Sequence, residues 1–226
     1  MELNYYKHIK DNYLVNKTNL QRYGSIGDGG YFLSPSSIVN SDLLFSGGIS
    51  SNVEFEFDYF RFNPTGSILM IDPTISRTKL LFKGIMRLFF KRSRKISYLY
   101  NTLIFWDLIY QERCKHLPIW LKKPKSILKL AKSNFGIDNN VLLKLDIEGS
   151  EYDFLEEIIN HQKIFSAMVF EFHDLDKRSN LLLNFISKIK ANFDLVNIEI
   201  NPSGGFVNKL PKCIEVTFER KNNLCI

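Results

Sequence analysis

The chain is poor in the residues that mark secreted scaffolds and metal knuckles. Only three of its 226 residues are cysteine, at Cys114, Cys213 and Cys225. The number is odd and none are close together, which argues against a disulfide framework and a cysteine zinc site and points to a reducing, cytoplasmic setting. No run reaches the ~18 uncharged apolar residues that a membrane span needs. The opening Met-Glu-Leu-Asn-Tyr-Tyr-Lys-His has no basic segment leading into an apolar one, so no signal peptide is expected. A P-loop, a G-x-S-x-G elbow, an H-E-x-x-H pair and a G-x-G-x-x-G fingerprint are all missing. Repeats, low-complexity tracts and long Pro/Gly/Ser linkers are missing too. The expectation is one domain over residues 1–226, with an N-terminal extension at 1–40 and a basic, aromatic insertion at 77–120.

One stretch lacks acids. Between Arg77 and Lys95 stand eight basic residues and no acidic one, in a chain of net charge +6. The rest is therefore slightly acidic, and the basicity is a local feature that gives no reason to expect DNA. Lys79, Lys83, Arg87 and Lys91 are four apart, which predicts a basic stripe on a helix from Thr78 to Phe90, with Leu81, Phe82, Ile85, Leu88 and Phe89 on its other surfaces. Such a stripe at 77–95 suits an anionic membrane surface, at the inner face of the membrane, or a phosphorylated substrate. An insertion packed on the core, or on a second subunit of a homo-oligomer, fits the pattern equally well. Nucleic acid is a third option, but no RNA-binding module is recognisable.

What is present reads as strands alternating with helices. Buried strands are predicted at Asp42–Ile49, Ser67–Ile71, Val141–Leu145 and Ala167–Phe172, with a shorter one at Tyr31–Leu33. Phe193–Ile200 and Cys213–Arg220 form a closing pair joined by a loop holding Pro202, Gly204 and Gly205. Helices are predicted after Ser51, over Lys125–Phe135 with a stop at Gly136, after Ser150, and over Ser179–Lys190. The pairs Ser51/Glu54 and Ser150/Asp153 have capping-box spacing. Ile96–Tyr110, rich in β-branched and aromatic residues, suggests one or two strands. The alternation indicates an α/β fold with a mostly parallel sheet, and the closing pair without an intervening helix suggests an antiparallel edge.

In such sheets ligands sit beyond the carboxyl ends of strands, near the switch in strand order. Three segments follow strands there. Gly47, Gly48 and Ser50 make a tight turn into a helix N-terminus, which suits a carboxylate; a plain strand-to-helix turn is the alternative. Asp72, before Pro73, is placed to accept both hydroxyls of a ribose, or else simply ends its strand. Leu143–Glu151 carries Asp146 and Glu148 on one side, and Gly149 permits a sharp turn. Glu171 and His173 share a face on the neighbouring strand, so Asp146, Glu148, Glu171 and His173 converge if the strands are adjacent. The cluster suits a general base, a hydroxyl clamp, or a hard-cation site such as Mg²⁺ on Asp146, Glu171 and His173; metal is the less favoured of these.

Leu-Lys-Leu-Asp-Ile-Glu-Gly-Ser-Glu from Leu143 resembles the L-K-x-D-x-E-G-x-E signature of FkbM-type methyltransferases. Further segments resemble a bacterial branch of that family: Arg22-Tyr-Gly with Asp28-Gly-Gly-Tyr31, Ser46-Gly-Gly-Ile-Ser-Ser-Asn through Asp58, Ile71-Asp72-Pro73-Thr74, and Glu171-Phe-His173 with Glu215-Val-Thr-Phe. The resemblance runs from about Arg22 to Arg220 and fails between Lys79 and Trp120.

The resemblance implies a Rossmann-like methyltransferase sheet, mostly parallel with an antiparallel C-terminal strand and helices on both faces, using S-adenosylmethionine. It implies that Gly47, Gly48 and Ser50 face the methionine part, Asp72 the ribose, and Asp146 the sulfonium. Glu148 and His173 would handle the acceptor hydroxyl, with His173 as base; Asp28, Tyr31 and Glu171 are further acceptor-binding candidates. The implied substrate is a sugar hydroxyl of a surface glycan or its lipid- or nucleotide-linked precursor. Competing readings are an RNA or small-molecule methyltransferase, a nucleotide-linked oxidoreductase, and a non-catalytic cofactor-binding module. The joint presence of Asp72, Asp146, Glu148 and His173 speaks against the last.

Overall fold

The computed structural model describes residues 4–27, 29–76, 78–79 and 95–221. Asp28, and all but Thr78 and Lys79 of the basic helix expected at Thr78–Phe90, lie outside the described residues.

Helix α1 (Tyr5–Tyr13) leads to a hairpin of β1 (Gln21–Gly24) and β2 (Gly30–Leu33), then α2 (Pro35–Val39). Next come β3 (Leu43–Gly47), α3 (Glu54–Phe62), β4 (Ser67–Ile71), α4 (Lys95–Tyr110) and β5 (Cys114–Leu117). The second half holds α5 (Ile127–Phe135), β6 (Val141–Leu145), α6 (Leu155–Asn160), β7 (Phe165–Phe172), α7 (Leu175–Ile189) and β8 (Phe193–Ile200). A two-residue pair, β9 (Phe206–Val207) and β10 (Leu210–Pro211), precedes the last strand, β11 (Ile214–Arg220).

Seven strands form one sheet in the order β5-β4-β3-β6-β7-β11-β8. The pairs β5–β4, β4–β3, β3–β6 and β6–β7 are parallel, and β11 runs antiparallel to both β7 and β8. This is the Rossmann-like sheet of methyltransferase type that the resemblance implies, with its C-terminal strand reversed. The closing pair β8 and β11 forms the antiparallel edge that the sequence suggests, with the reversed strand as its inner member. β11 inserts between β7 and β8, satisfying backbone groups on both sides, and leaves β8 outermost.

Strand alternation divides the core. Leu43, Phe45, Leu69, Ile71, Leu143 and Leu145 pack with α1, α5, α6 and α7 on one face. Leu44, Ile68, Met70, Leu142 and Val169 pack with α2, α3, α4 and the hairpin on the other. Strands covered on both faces read as continuous apolar runs, as β6 does. Each fully buried large apolar side chain contributes about 1.5–3 kcal/mol, and Phe170, Phe185 and Phe218 are among those that are essentially inaccessible.

Two local expectations change. Residues 95–110 are helix, not strand: buried Asn101, Ile104, Phe105 and Leu108 recur at helical spacing. Asn101 also accepts from the Val53 amide (2.7 Å) and donates to Glu54 (2.9 Å), tying α4 to the start of α3. Tertiary contacts outweigh the β-propensity of the stretch. Neither capping box forms. Helix α3 starts at Val53 without a side-chain cap, and Ser150 makes no cap bond at the 3₁₀ turn Glu151–Asp153. The Gly136 stop is found: Gly136 takes φ +70° at the end of α5, whose other end is capped by Ser126. No helix among the described residues is long and apolar enough to cross a membrane.

Candidate active site

The strand order reverses between β3 and β6, so their carboxyl ends border a crevice. A cleft of about 490 Å³ lies there, lined among others by Ser50, Asp72, Trp120, Asp146, Glu171 and His173. That volume is ordinary for a small-molecule or cofactor site.

The loop after β3 is held by the protein's own atoms. Gly48 takes φ +78°, and a Cβ there would stand 1.6 Å from the Asp146 carbonyl oxygen. Its lack of a side chain therefore serves the close approach of β3 to the end of β6. A Cβ on Gly47 would meet Leu121 and Leu145. Asp72 is buried, and its carboxylate is fully engaged. Oδ2 accepts from the amides of Ile49 (3.0 Å) and Ser50 (2.6 Å). Oδ1 accepts from the amide and the hydroxyl of Thr74, both at 2.6 Å. A carboxylate has about four acceptor positions. A ribose diol would have to displace one of these donors, and the Ile49 and Ser50 amides are turned inward rather than offered to a ligand.

Lys144 interrupts the apolar run of β6 and is buried. Its ammonium donates to the Gly48 carbonyl (2.9 Å) and pairs with Glu56 at 3.2 Å. Ser46, beside it in register, donates to the same Glu56 carboxylate. Burial works against the charged ammonium, but Glu56 and Asp146 overcome this and raise its pKa. One buried cation thus ties α3, the β3 loop and β6 together.

His173 is the hub of the acids. Its Nδ1 lies 3.0 Å from Oε1 of Glu151, and since a carboxylate only accepts, Nδ1 carries the hydrogen. The same Glu151 oxygen accepts from the amides of Ile147 (2.8 Å) and Gly149 (3.2 Å), which fixes the turn after β6. With Nδ1 anchored, Nε2 faces Glu171 at 3.6 Å, Glu148 at 3.7 Å and Asp146 at 4.0 Å. The four residues expected to converge do so. Glu148 reaches the group differently from the expected alternation: it follows the end of β6, has φ +54°, and its side chain is 89% exposed.

Burial of His173 opposes its charge, but the hydrogen bond and charge of Glu151, then the charges of Glu171 and Asp146, outweigh it and raise the pKa. Asp146 is raised as well, by burial first and then by the Glu171 charge. Such interacting groups titrate as a unit.

Glu171 is buried and accepts from Asn201 (2.8 Å) and the Cys213 thiol (2.8 Å). It stands opposite Glu215, which stands opposite Glu199. Like charges directly opposite on neighbouring strands destabilise a sheet, so this row of glutamates across β7, β11 and β8 depends on the partners that hold it. It leads into a second hollow of about 700 Å³ that shares Asn201 and Ser203 with the first and is bordered by Tyr6, Arg22 and Glu199. Arg22 pairs with Glu199 at 3.2 Å.

Tyr31 does not line the cleft. It is buried under the hairpin with its hydroxyl unpaired, its ring 5.9 Å from the Lys144 ammonium. Burial, then the charge of Asp146, push its pKa well up. Lys144, Glu151, Asn201, Cys213 and Trp120 are not among the site residues expected from the sequence. A lysine inside an apolar strand and the second glutamate of Glu148-Gly-Ser-Glu151 were visible signals. The others depend on strand register.

No protein-family profile matches the chain, and no characterised protein matches it in sequence. Solved structures of similar outline include a fibrillarin/Nop5p complex, at 11% identity over 92% of this chain and 96% of that chain, with a TM-score of 0.42. A precorrin-6y C5,15-methyltransferase from Geobacter metallireducens is 9% identical over 83% of this chain and 85% of that chain, with a TM-score of 0.42.

Proposed function

We propose that the chain is an S-adenosylmethionine-dependent methyltransferase acting on a hydroxyl oxygen, with a sugar-bearing acceptor, in the manner of FkbM-type enzymes. The observation that carries the reading is the convergence of Asp146, Glu148 and Glu171 on His173 beside the β3–β6 crevice. The donor set fits the cofactor's chemistry. Carboxylates favour the cationic sulfonium and ammonium of the methionine part, and an indole among the cleft residues, that of Trp120, suits a purine. Asp72 fits the ribose only with the loss of a present donor. When bound, the cofactor supplies a methyl group already activated toward displacement.

The chain's own residues then align the acceptor and take up its proton. The base belongs to the Asp146–His173 unit. His173 holds a proton at neutral pH, because Glu151 and Glu171 favour the imidazolium, and so it does not act as a base until the cluster loses a proton. The Glu171–Glu215–Glu199 row, Asn201 and Ser203 suit an acceptor rich in hydroxyl groups. The same acids repel phosphates, which disfavours RNA. Calorimetry with S-adenosylhomocysteine and, separately, NAD tests the reading. Binding of the first alone is expected; binding of NAD, or of neither, would sink it.

A further inference from the structure

Among the described residues, one group of mixed donors has metal-site spacing: Glu171, His173 and Cys213 offer ligand atoms that all lie within 4.8 Å of one another. We propose that these three residues bind a divalent cation of borderline softness, of the zinc class, with a fourth position open to the cleft. Imidazole, thiolate and carboxylate together are a zinc donor set, and a site with three protein ligands leaves one position for water or substrate. The scarcity and spacing of cysteine in the sequence argue against a cysteine zinc site, but not against a mixed one that draws a single thiol from β11's start.

Two features of the surroundings point the same way. The first is the partner of the imidazole. Metal-bound histidines donate their second ring N–H to a carboxylate or carbonyl, which fixes the tautomer and aims the other nitrogen at the metal. His173 does this with Glu151, a fully buried acid whose position is set by two backbone amides. The second is the empty distance around Nε2. Its separations from Glu171, Glu148 and Asp146, 3.6, 3.7 and 4.0 Å, are too long for hydrogen bonds. Of these, the Nε2–Glu171 separation joins two of the proposed ligands, and it lies within the ~3.3–3.7 Å that two ligands keep on a tetrahedral zinc with bonds of ~2.0–2.3 Å. The Cys213 sulfur now donates its hydrogen to Glu171 at 2.8 Å, so binding releases that proton and moves the sulfur outward by about 0.5–1 Å to the same spacing. Glu171 is itself oriented by Asn201, which donates to it at 2.8 Å. Asp146 and Glu148 then face the open position. The site stands whether or not the cleft takes S-adenosylmethionine.

The test uses the full chain, stripped with a chelator and desalted, titrated with zinc chloride by calorimetry and with cobalt(II) chloride by absorption. One zinc per chain is expected, along with a near-ultraviolet thiolate-to-cobalt band. Cys213→Ser should lose that band while keeping the circular dichroism of the parent. Glu151→Gln should weaken zinc binding about 10- to 100-fold. Should either variant fail to fold, Glu171→Gln supplies the same zinc readout. No zinc binding to the parent chain, or binding and a cobalt spectrum that Cys213→Ser and Glu171→Gln leave unchanged, overturns the proposal. S-adenosylhomocysteine is titrated into the same samples. Zinc binding without it fails the methyltransferase reading alone, and the reverse fails the metal site alone.

Discussion

The Nδ1 of His173 lies 3.0 Å from Oε1 of Glu151, and that same oxygen accepts the Ile147 and Gly149 amides. A single buried carboxylate therefore sets both the turn after β6 and the direction of the imidazole that follows β7. Glu151→Gln removes the charge that favours the imidazolium. The His173 titration, followed by NMR of its ring protons, should move down toward the ordinary histidine value. An unchanged midpoint would show that Glu171 and Asp146 alone hold the proton.

The proton content of the cluster sets the expected pH profile. Asp146 is pushed up to about 8, first by burial, and His173 to about 9 by Glu151 against its own burial. Both groups are raised, so both hold protons at neutral pH and release them as pH rises. A base must be empty to act, so kcat/KM should climb from neutral pH through this window. A zinc ion on Nε2 of His173 takes the imidazole out of this titration and leaves Asp146 as the base, with its proton release moved to lower pH by the added charge. A rate that falls with rising pH from neutral would remove the Asp146–His173 unit from the role of base.

Lys144→Met leaves Glu56 buried without its cation. Breaking one side of a buried pair costs about 3–5 kcal/mol, and both side chains are almost wholly inaccessible, at 3% and 0%. Urea denaturation should show a loss of that order. Adding Glu56→Gln should recover part of it, since no stranded charge then remains. A loss in the single variant that the second substitution leaves untouched would assign the effect to the Gly48 carbonyl bond instead.

Much of this site was legible from a short segment, for a physical reason. A parallel strand buried on both faces tolerates only apolar residues, so Lys144 inside β6 and Asp146 at its end stand out without any structure. Asp146 and His173 meet because β6 and β7 are neighbours, which the alternation of elements already implied. Cys213 and Asn201 come to Glu171 through the insertion of β11 beside β7, and the glutamate row depends on the same antiparallel register. Register of strands distant in sequence leaves no local trace. The strand reading of 95–110 fails for a related reason: local propensity there is overruled by Asn101, Ile104, Phe105 and Leu108 packing against α3.

Glu219 makes acid sensitivity predictable. Burial works against its charge, but Lys17 (2.7 Å), the Ser34 amide and hydroxyl, and the Ser37 hydroxyl (2.7 Å) outweigh it and lower the pKa. A lowered carboxylate pKa means stability that is present above the unfolded value and lost as pH falls through the folded one. The N-terminal segment and α2 should therefore loosen from β11 only in acid, below the ordinary glutamate range. Glu219→Gln should lower stability at neutral pH by about 1–3 kcal/mol and flatten the acid limb of the thermal midpoint. An acid limb identical to that of the parent would place its origin elsewhere.

Asp72 and Thr74 decide between two uses of one carboxylate. In this structure Oδ2 holds the Ile49 and Ser50 amides and Oδ1 holds the amide and hydroxyl of Thr74. Asp72→Asn replaces an acceptor with a donor facing one of these pairs, so either the two loop amides or Thr74 lose their acceptor and meet another donor. A cost of about 1.5–3 kcal/mol in stability is expected, whatever the ligand. Thr74→Ala is the discriminating change, because it frees one acceptor position on Oδ1 and leaves the loop amides bound. If a ribose hydroxyl takes that position, S-adenosylhomocysteine should bind more tightly to Thr74→Ala than to the parent, while Asp72→Asn weakens it. If Asp72 only anchors the loop, Thr74→Ala should leave affinity unchanged, and Asp72→Asn should lose affinity only in step with the loosening of Ile49 and Ser50, read by hydrogen exchange at those amides. Tighter binding by Thr74→Ala thus assigns Asp72 to the ribose, and affinity that follows amide protection alone assigns it to the loop.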